Sequence, residues 1–394
     1  MKIAVIGSGY WGKNLVRNFY DLKSLQAVCD TDRDKLNQIK KAYPSIYTTS
    51  SYTEILNDKK ISAVAISTPA VTHHKLAKEA LLAGKDVFVE KPISLTADEG
   101  MDLVKLSEKN GKILMVGHLL EYHPGILKLK ELIDKGILGK IYYIYSNRLN
   151  LGKIRREENI LWSFAPHDIS VMLLLLKEIP DSVSAHGGNY LHKNIADVTV
   201  STLEFRSGVK GHIFVSWLHP YKEQKLIVVG DKKMALFDDV AKKDKLRLYN
   251  HKIKWRDRTP ISLNAPAETV KFNQAEPLKE ECKHFLQCVK TRKRPKTDGL
   301  NGLKVLEVLQ ACQKSLEKNG DSITLGSTYD SPQNFYAHSS ATIEQPCEIG
   351  EGTKIWHYSH IMKGAKVGKS CQIGQNVFVG SKAHIGNGVK IQNN

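Results

Sequence analysis

The chain has 394 residues, 41% of them hydrophobic and 25% charged, with a formal net charge of +17. These proportions belong to a folded chain of two or three domains and exclude a disordered one. The longest apolar run, residues 171–176, is too short to cross a bilayer, so no membrane insertion is expected. Six scattered cysteines form no C-x-x-C pair and no ligand framework. Together with the lack of a leader-like opening, they lead us to expect reduced thiols, no metal and a cytoplasmic protein.

Strand and helix signals alternate over residues 1–116. The run Ile3-Ala4-Val5-Ile6 enters Gly7-Ser8-Gly9-Tyr10-Trp11-Gly12, followed by an amphipathic helix to about Tyr20 and a strand over 25–29 that ends at Asp30. In such a strand–turn–helix, Gly7 permits the tight turn and Gly9 lets the backbone approach a pyrophosphate. Gly12 lets the helix pack on the strand, and the helix N-terminus faces the phosphates. Asp30 stands where a carboxylate accepts from the adenosine ribose and repels a 2′-phosphate, which points to NAD over NADP; only Arg33 pulls the other way. A strand at 63–66 then runs into Ser67-Thr68-Pro69 and a helix carrying His73 and His74. Another, at 86–89, ends in Glu90-Lys91-Pro92, and Thr96 with Glu99 has capping-box spacing for the next helix. Ligands of open α/β sheets bind at the carboxyl ends of the strands. Residues Gly7, Gly9, Tyr10, Trp11, Gly12, Asp30, Ser67, Thr68, Pro69, His73, Glu90 and Lys91 are therefore the expected cofactor wall of an NAD-binding Rossmann domain over 1–120.

The G-x-G-x-x-G opening, the Ser67-Thr68-Pro69-x-x-x-His73 segment and the Glu90-Lys91-Pro92 tripeptide resemble the Gfo/Idh/MocA family of glucose-fructose oxidoreductases and inositol dehydrogenases, over about residues 1–320. That resemblance implies an α/β fold followed by an α+β domain on a mostly antiparallel sheet, and an NAD-dependent dehydrogenase. Oxidising a secondary alcohol removes a hydride from carbon and a proton from oxygen. A lysine held partly desolvated near the nicotinamide has its pKa drawn below about 10.4 and can manage that proton, so Lys91 is the expected catalytic residue. In the segment 161–168, His167 matches a histidine that family members carry four residues after an aspartate; here Ser163 fills the aspartate position. Asp168 is expected on a different side of the helix. His167 is assigned to assist Lys91, while His74, His118, His123 and His219 receive no role.

Basic residues gather at 148–156, 242–258 and 290–296, without the interleaved aromatics, helix-turn-helix or zinc pattern of a nucleic-acid binder. They are read as a solvated surface plus an anionic small-molecule ligand. Segment 147–159 follows a strand at 141–146 and carries Arg148, Lys153, Arg155 and Arg156, an expected loop whose arginine forks suit phosphates or a carboxylate. With residues 162–168 it resembles the subfamily that oxidises the 3-hydroxyl of UDP-N-acetyl-glucosaminuronate. This makes Arg148, Asn150, Arg155, Arg156, Trp162, Ser163 and His167 the expected substrate contacts of a UDP-sugar. The alternatives are a relative acting on another polyol or nucleotide sugar, and a non-catalytic NAD-binding scaffold.

Strand signals at 196–205, 209–218, 224–230 and 233–237 and helices at 276–290 and 300–318 complete an α+β substrate domain over 121–328, closed by a polar linker at 327–332. Over 336–394 the period becomes six: Ile343, Ile349, Ile355, Ile361, Val367, Ile373, Val379, Ile385 and Ile391, each with a compact residue two positions earlier. That period fits a prism-shaped parallel β-helix. The segment resembles left-handed β-helix sugar N-acetyltransferases, whose activity would follow a 3-dehydrogenase and an aminotransferase in making diacetamido uronic acids. Nine hexads make three coils, so an incomplete solenoid is expected, and acetyl transfer is not assigned to it. A homo-oligomer is expected, trimeric if the solenoid decides and tetrameric if the dehydrogenase does.

Overall fold

The computed structural model describes residues 1–152, 154–325, 335–338, 340–344 and 346–393, so Lys153 and the expected linker at 327–332 lie outside the described residues. Two compact units form, Met1–Leu325 and Gly326–Asn394.

The first unit begins with β1 (Ile3–Ile6), α1 (Gly12–Asp21), β2 (Leu25–Cys29), α2 (Arg33–Ala42), β3 (Tyr47–Thr49), α3 (Tyr52–Asn57), β4 (Ala63–Ile66), α4 (His73–Leu82), β5 (Asp86–Glu90), α5 (Ala97–Lys109) and β6 (Leu114–Gly117). The strands make a parallel sheet in the order β3-β2-β1-β4-β5-β6. β1 and β4 are buried at every position, as strands covered on both faces must be, which is why they read as unbroken apolar runs. The Thr96–Glu99 capping box at the start of α5 is present in both directions.

The chain continues with α6 (Pro124–Asp134), β7 (Ile141–Leu149), α7 (Ile160–Leu176), β8 (Pro180–Gly188), β9 (Val198–Phe205), β10 (Lys210–Ser216), β11 (Glu223–Gly230), β12 (Met234–Asp238), β13 (Leu246–Tyr249), β14 (Lys252–Arg256), β15 (Thr259–Leu263), β16 (Ala267–Thr269), α8 (Pro277–Thr291), α9 (Gly299–Glu317) and β17 (Ile323–Thr324). A nine-stranded sheet has the order β16-β13-β12-β11-β7-β10-β9-β8-β17. Only β7 and β10 pair in parallel there, and the other neighbours run antiparallel. Helix α7, apolar nearly all round, packs into the core of this sheet with Ile144, Ile213 and Trp217. Two features depart from expectation. β7 runs to Leu149, three residues past the expected strand end, because its last residues hold a full register with both β10 and β11. α8, expected to close the second domain, lays Leu278, Cys282 and Phe285 on the first sheet's core beside Phe19 and Phe88.

The second unit is a parallel β-helix of ten two-residue strands, from Tyr336–Ala337 to Lys390–Ile391. Each strand pairs with the one a full coil away, giving three sheets. All nine expected apolar residues are second in a strand, and Ile355, Ile361 and Ile373 are fully buried. Left-handed backbone recurs with the same period at Gly352, Tyr358, Gly364, Ser370, Asn376, Lys382 and Gly388. These are the corners of the prism, and glycine takes them at the least steric cost. The compact residues before the apolar ones tie coil to coil: Thr353 Oγ1 donates to the Gly368 carbonyl at 2.7 Å, and Ser359 Oγ to that of Gly374 at 2.5 Å.

Candidate active site

The carboxyl ends of β1, β2, β4, β5 and β6 share one edge of the parallel sheet. Gly7 has φ +88°, and a Cβ on Gly12 would fall 2.1 Å from the Gly7 carbonyl oxygen, so α1 rests directly on the loop. A Cβ on Gly9 would meet nothing within 4 Å. The first turn of α1 has neither a side-chain cap nor an acidic residue, so no side chain competes there with an anion drawn to the helix start. Asp30 accepts from Ser8 N–H at 2.6 Å, Ser8 Oγ at 2.8 Å and Asp32 N–H at 3.0 Å. Burial alone would raise its pKa, but these bonds outweigh it and hold the carboxyl below its ordinary value. An open glycine, an uncapped helix start and an ionised carboxylate at the end of β2 fit a bound dinucleotide. Tyr10 is mostly exposed and Pro69 exposed beside this loop, while Ser67 Oγ ties β4 back to the Gly7 carbonyl at 2.8 Å. Thr68 and Thr72 share a hydroxyl bond at 2.6 Å. His73 is buried, its ring nitrogens on the carbonyls of Pro92 (2.7 Å) and Thr68 (2.9 Å). It braces the loops after β4 and β5 from behind.

Trp11 Nε1 donates to Glu90 Oε1 at 2.5 Å, and Gly117 leaves room for that carboxyl, whose Oε2 would stand 2.8 Å from an added Cβ. Burial pushes Glu90 up to about 7 against the pull of Trp11 and Lys91. Next to it Lys91, which precedes a cis peptide bond to Pro92, reaches the second domain: its Nζ donates to the Ser163 carbonyl at 2.7 Å. Burial is the main cause of its lowered pKa; Arg155 and Arg148 push the same way, while Glu158 and Glu90 oppose them.

Helix α7 presents the partner groups. Asn159 caps it through the Trp162 N–H at 3.1 Å, and Pro166 removes one rung of its ladder. Ser163 is buried, and it is its carbonyl that meets Lys91. His167 Nδ1 is buried with no partner. Its pKa is driven well below the ordinary value by burial first, then by the charges of Lys91, Arg148 and His118. His118, given no role from sequence, stands in the same group. It is 1% exposed, both ring nitrogens lack partners, and burial with the Lys91 charge lowers it to about 3. The signal that would have found it is its position directly after β6, the same strand-end rule that picked out Thr68 and Lys91.

The expected anion loop needs correction at its first member. Arg148 lies on β7, and its Nε and Nη2 bond Asp168 at 2.9 and 3.0 Å, with Ser146 Oγ on the same carboxylate at 2.5 Å. The Arg148 side chain is 12% exposed and that of Asp168 3%, so this edge of the guanidinium is held by protein rather than offered to a ligand. The Asp168 carboxylate is directed at Ser146 and Arg148 of β7. Arg155 pairs with Glu158 at 2.8 Å, and Arg156 is exposed. Asn150 Oδ1 is buried without a partner. The Trp162 indole N–H is taken by Gln313 of α9 at 3.0 Å.

Residues 1–118 match the family model for the Gfo/Idh/MocA oxidoreductases with NAD-binding Rossmann fold, and residues 126–236 match the Gfo/Idh/MocA C-terminal domain. Residues 346–381 match the bacterial transferase hexapeptide of six repeats. The chain is 27% identical to scyllo-inositol 2-dehydrogenase (NAD(+)) of Bacillus subtilis over 339 residues, 82% of this chain and 96% of that one. It superposes with TM-score 0.71 on UDP-N-acetylglucosamine 3-dehydrogenase GnnA from Acidithiobacillus ferrooxidans, at 22% identity over 81% of this chain and 98% of that one. With the WlbA dehydrogenase from Bordetella pertussis, solved with NADH and UDP-GlcNAcA, the TM-score is 0.67 at 22% identity, covering 83% of this chain and 99% of that one. Matched in both of its enzyme domains, the chain belongs to the Gfo/Idh/MocA family of NAD-binding oxidoreductases and carries a hexapeptide-repeat segment after them.

Proposed function

We propose that the protein is an NAD-dependent dehydrogenase that oxidises the 3-hydroxyl of a UDP-N-acetyl-glucosaminuronate-type nucleotide sugar. The observation that carries this reading is Lys91, fixed on the Ser163 carbonyl, within electrostatic reach of His167, whose buried Nδ1 has no partner. Bound NAD supplies the hydride acceptor. The chain's own groups handle the proton: burial favours neutral Lys91, whose lone pair takes the hydroxyl proton as the carbonyl forms at carbon 3. Neutral His167 holds the same oxygen and keeps it aligned. The nucleotide sugar is favoured over a plain polyol by the cation Arg155, whose charge bears on Lys91, by the fold shared with GnnA and WlbA, and by the attached transferase-type repeat. A 3-ketone is what amination and then N-acetylation at that carbon require, which suits a surface-polysaccharide route in the cytoplasm. The similarity to the inositol enzyme along nearly its whole length favours a second reading, oxidation of a cyclic polyol.

The test is NADH formation with UDP-N-acetyl-glucosaminuronate, UDP-N-acetylglucosamine and myo-inositol. The uronate should have the highest kcat/KM, and an inositol optimum would replace the first reading with the second. Lys91→Met should lower kcat by ~10²- to 10⁴-fold with NADH affinity intact. Turnover at the native rate in that variant would remove Lys91 from proton handling. NAD binding without turnover of any panel member would leave only a scaffold.

A further inference from the structure

We infer that His118 is a substrate-contact residue, its imidazole pairing with the polar group on a carbon next to the one oxidised. The inference rests on the dehydrogenase reading above and goes beyond it by naming a third polar contact. His118 follows β6 at the ligand edge of the parallel sheet, and its backbone is fixed on both sides. Its N–H donates to the Val116 carbonyl at 2.8 Å, and its carbonyl accepts from Glu121 N–H at 3.0 Å. The side chain is thus presented by a rigid turn, with Leu120 and Tyr122 buried beyond it.

A core histidine serving the fold places at least one ring nitrogen on a protein partner, as His73 does with both. His118 is 1% exposed and has none. Buried polar groups are paired in nearly all folded proteins, so a wholly unpaired imidazole marks a place for something that binds. Its neighbours say what. Lys91 and His167 both act on it or feel it electrostatically, and these two already serve the reacting oxygen. The nearest other polar groups on a pyranose are those on the adjacent carbons. Enclosed beside a lysine, His118 stays neutral and keeps one donor and one acceptor, which suits recognition of a hydroxyl or amide better than proton transfer.

Two variants of the full chain test this, His118→Leu, close in volume and apolar, and His118→Gln, which keeps a donor and an acceptor. With the best substrate of the panel, His118→Leu should lower kcat/KM by ~10- to 100-fold, with NADH affinity unchanged and part of the loss recovered in His118→Gln. A substrate analogue lacking the neighbouring polar group should be disfavoured by the wild type and not by His118→Leu. Unchanged kcat/KM in His118→Leu overturns the inference, and so does NADH affinity falling in step with kcat/KM, which would make the contact one to the cofactor. A readout independent of substrate identity is melting without ligand. His118→Leu should melt no lower than the wild type, and a drop of more than ~4 °C would mark a structural partner and end the proposal. If myo-inositol alone is turned over, the nucleotide-sugar reading falls while His118 is judged on that substrate.

Discussion

Replacing Asp168 with Asn tests how the substrate domain holds the charges around Lys91. The pair it breaks is bidentate and enclosed, with side-chain exposures of 12% for Arg148 and 3% for Asp168, so solvent screening discounts it little. Asparagine keeps the shape and can still accept from Ser146 Oγ, but it leaves a guanidinium without its counter-charge. Removing one member of such a pair typically costs about 3–5 kcal/mol. Urea unfolding followed by tryptophan fluorescence should show that loss. The double variant Arg148→Met/Asp168→Leu should recover most of it, because both charges are then gone. The variant also reaches the chemistry. Arg148 is among the charges that lower the pKa of both Lys91 and His167, and without Asp168 its field on them grows. On the proposed chemistry alcohol oxidation needs neutral Lys91, so kcat/KM should rise with pH through the lysine pKa. A lower pKa moves that rising limb to lower pH. A stability loss under ~1 kcal/mol, the range of an exposed pair, would refute the burial argument, and a limb displaced toward alkaline pH would refute the electrostatic one.

Two further outcomes follow from the first sheet. Asp30→Ala should weaken NAD binding ~10- to 100-fold, as the loop loses its brace and the ribose its acceptor. It should narrow the preference over NADP in a titration of the two cofactors; unchanged affinities would take Asp30 out of the site. Glu121 is buried with Oε1 unpaired, and burial raises it from 4.5 to about 8 against the pull of Lys296. The folded chain therefore keeps a proton that the unfolded chain releases, and this group's contribution to stability falls as pH rises between those values. Glu121→Gln stays neutral throughout, so its melting temperature should gain on the wild type from about pH 5 to about pH 8. The opposite trend would show that Glu121 is charged in the fold.

How far the sequence reached depended on where each residue's partner lies. Strands 25–29 and 63–66 were readable to the residue because a doubly covered parallel strand is a short apolar run with abrupt polar ends. The α5 capping box and the six-residue solenoid period are equally local. Arg148 was not legible as a strand residue. A cation beside Asn147 and Asn150 has loop composition, and only its pairing with Asp168, twenty positions on, stabilises it inside a sheet. The docking of α8 was hidden for a related reason: a helical period reveals that Leu278, Cys282 and Phe285 share a face, and says nothing of which core that face meets. For the candidate site, local motifs singled out Lys91 and His167 and passed over His118, since Gly117-His118-Leu119 carries no charge pattern and gains meaning only from the strand that ends at Gly117.

Among the described residues, the two units treat buried polar groups in opposite ways. In the β-helix, the buried Thr353 and Ser359 hydroxyls each donate to a carbonyl of the next coil and accept a backbone N–H from it. Among the described residues, every buried side-chain nitrogen or oxygen without a partner lies in the first unit. Some of these are scattered, but His118 and His167 both lie in the field of Lys91. A fold selected for stability alone would have paired or replaced them. Two unpaired imidazoles beside one lysine are what the proposed site requires, with a sugar and a nicotinamide completing its hydrogen bonding.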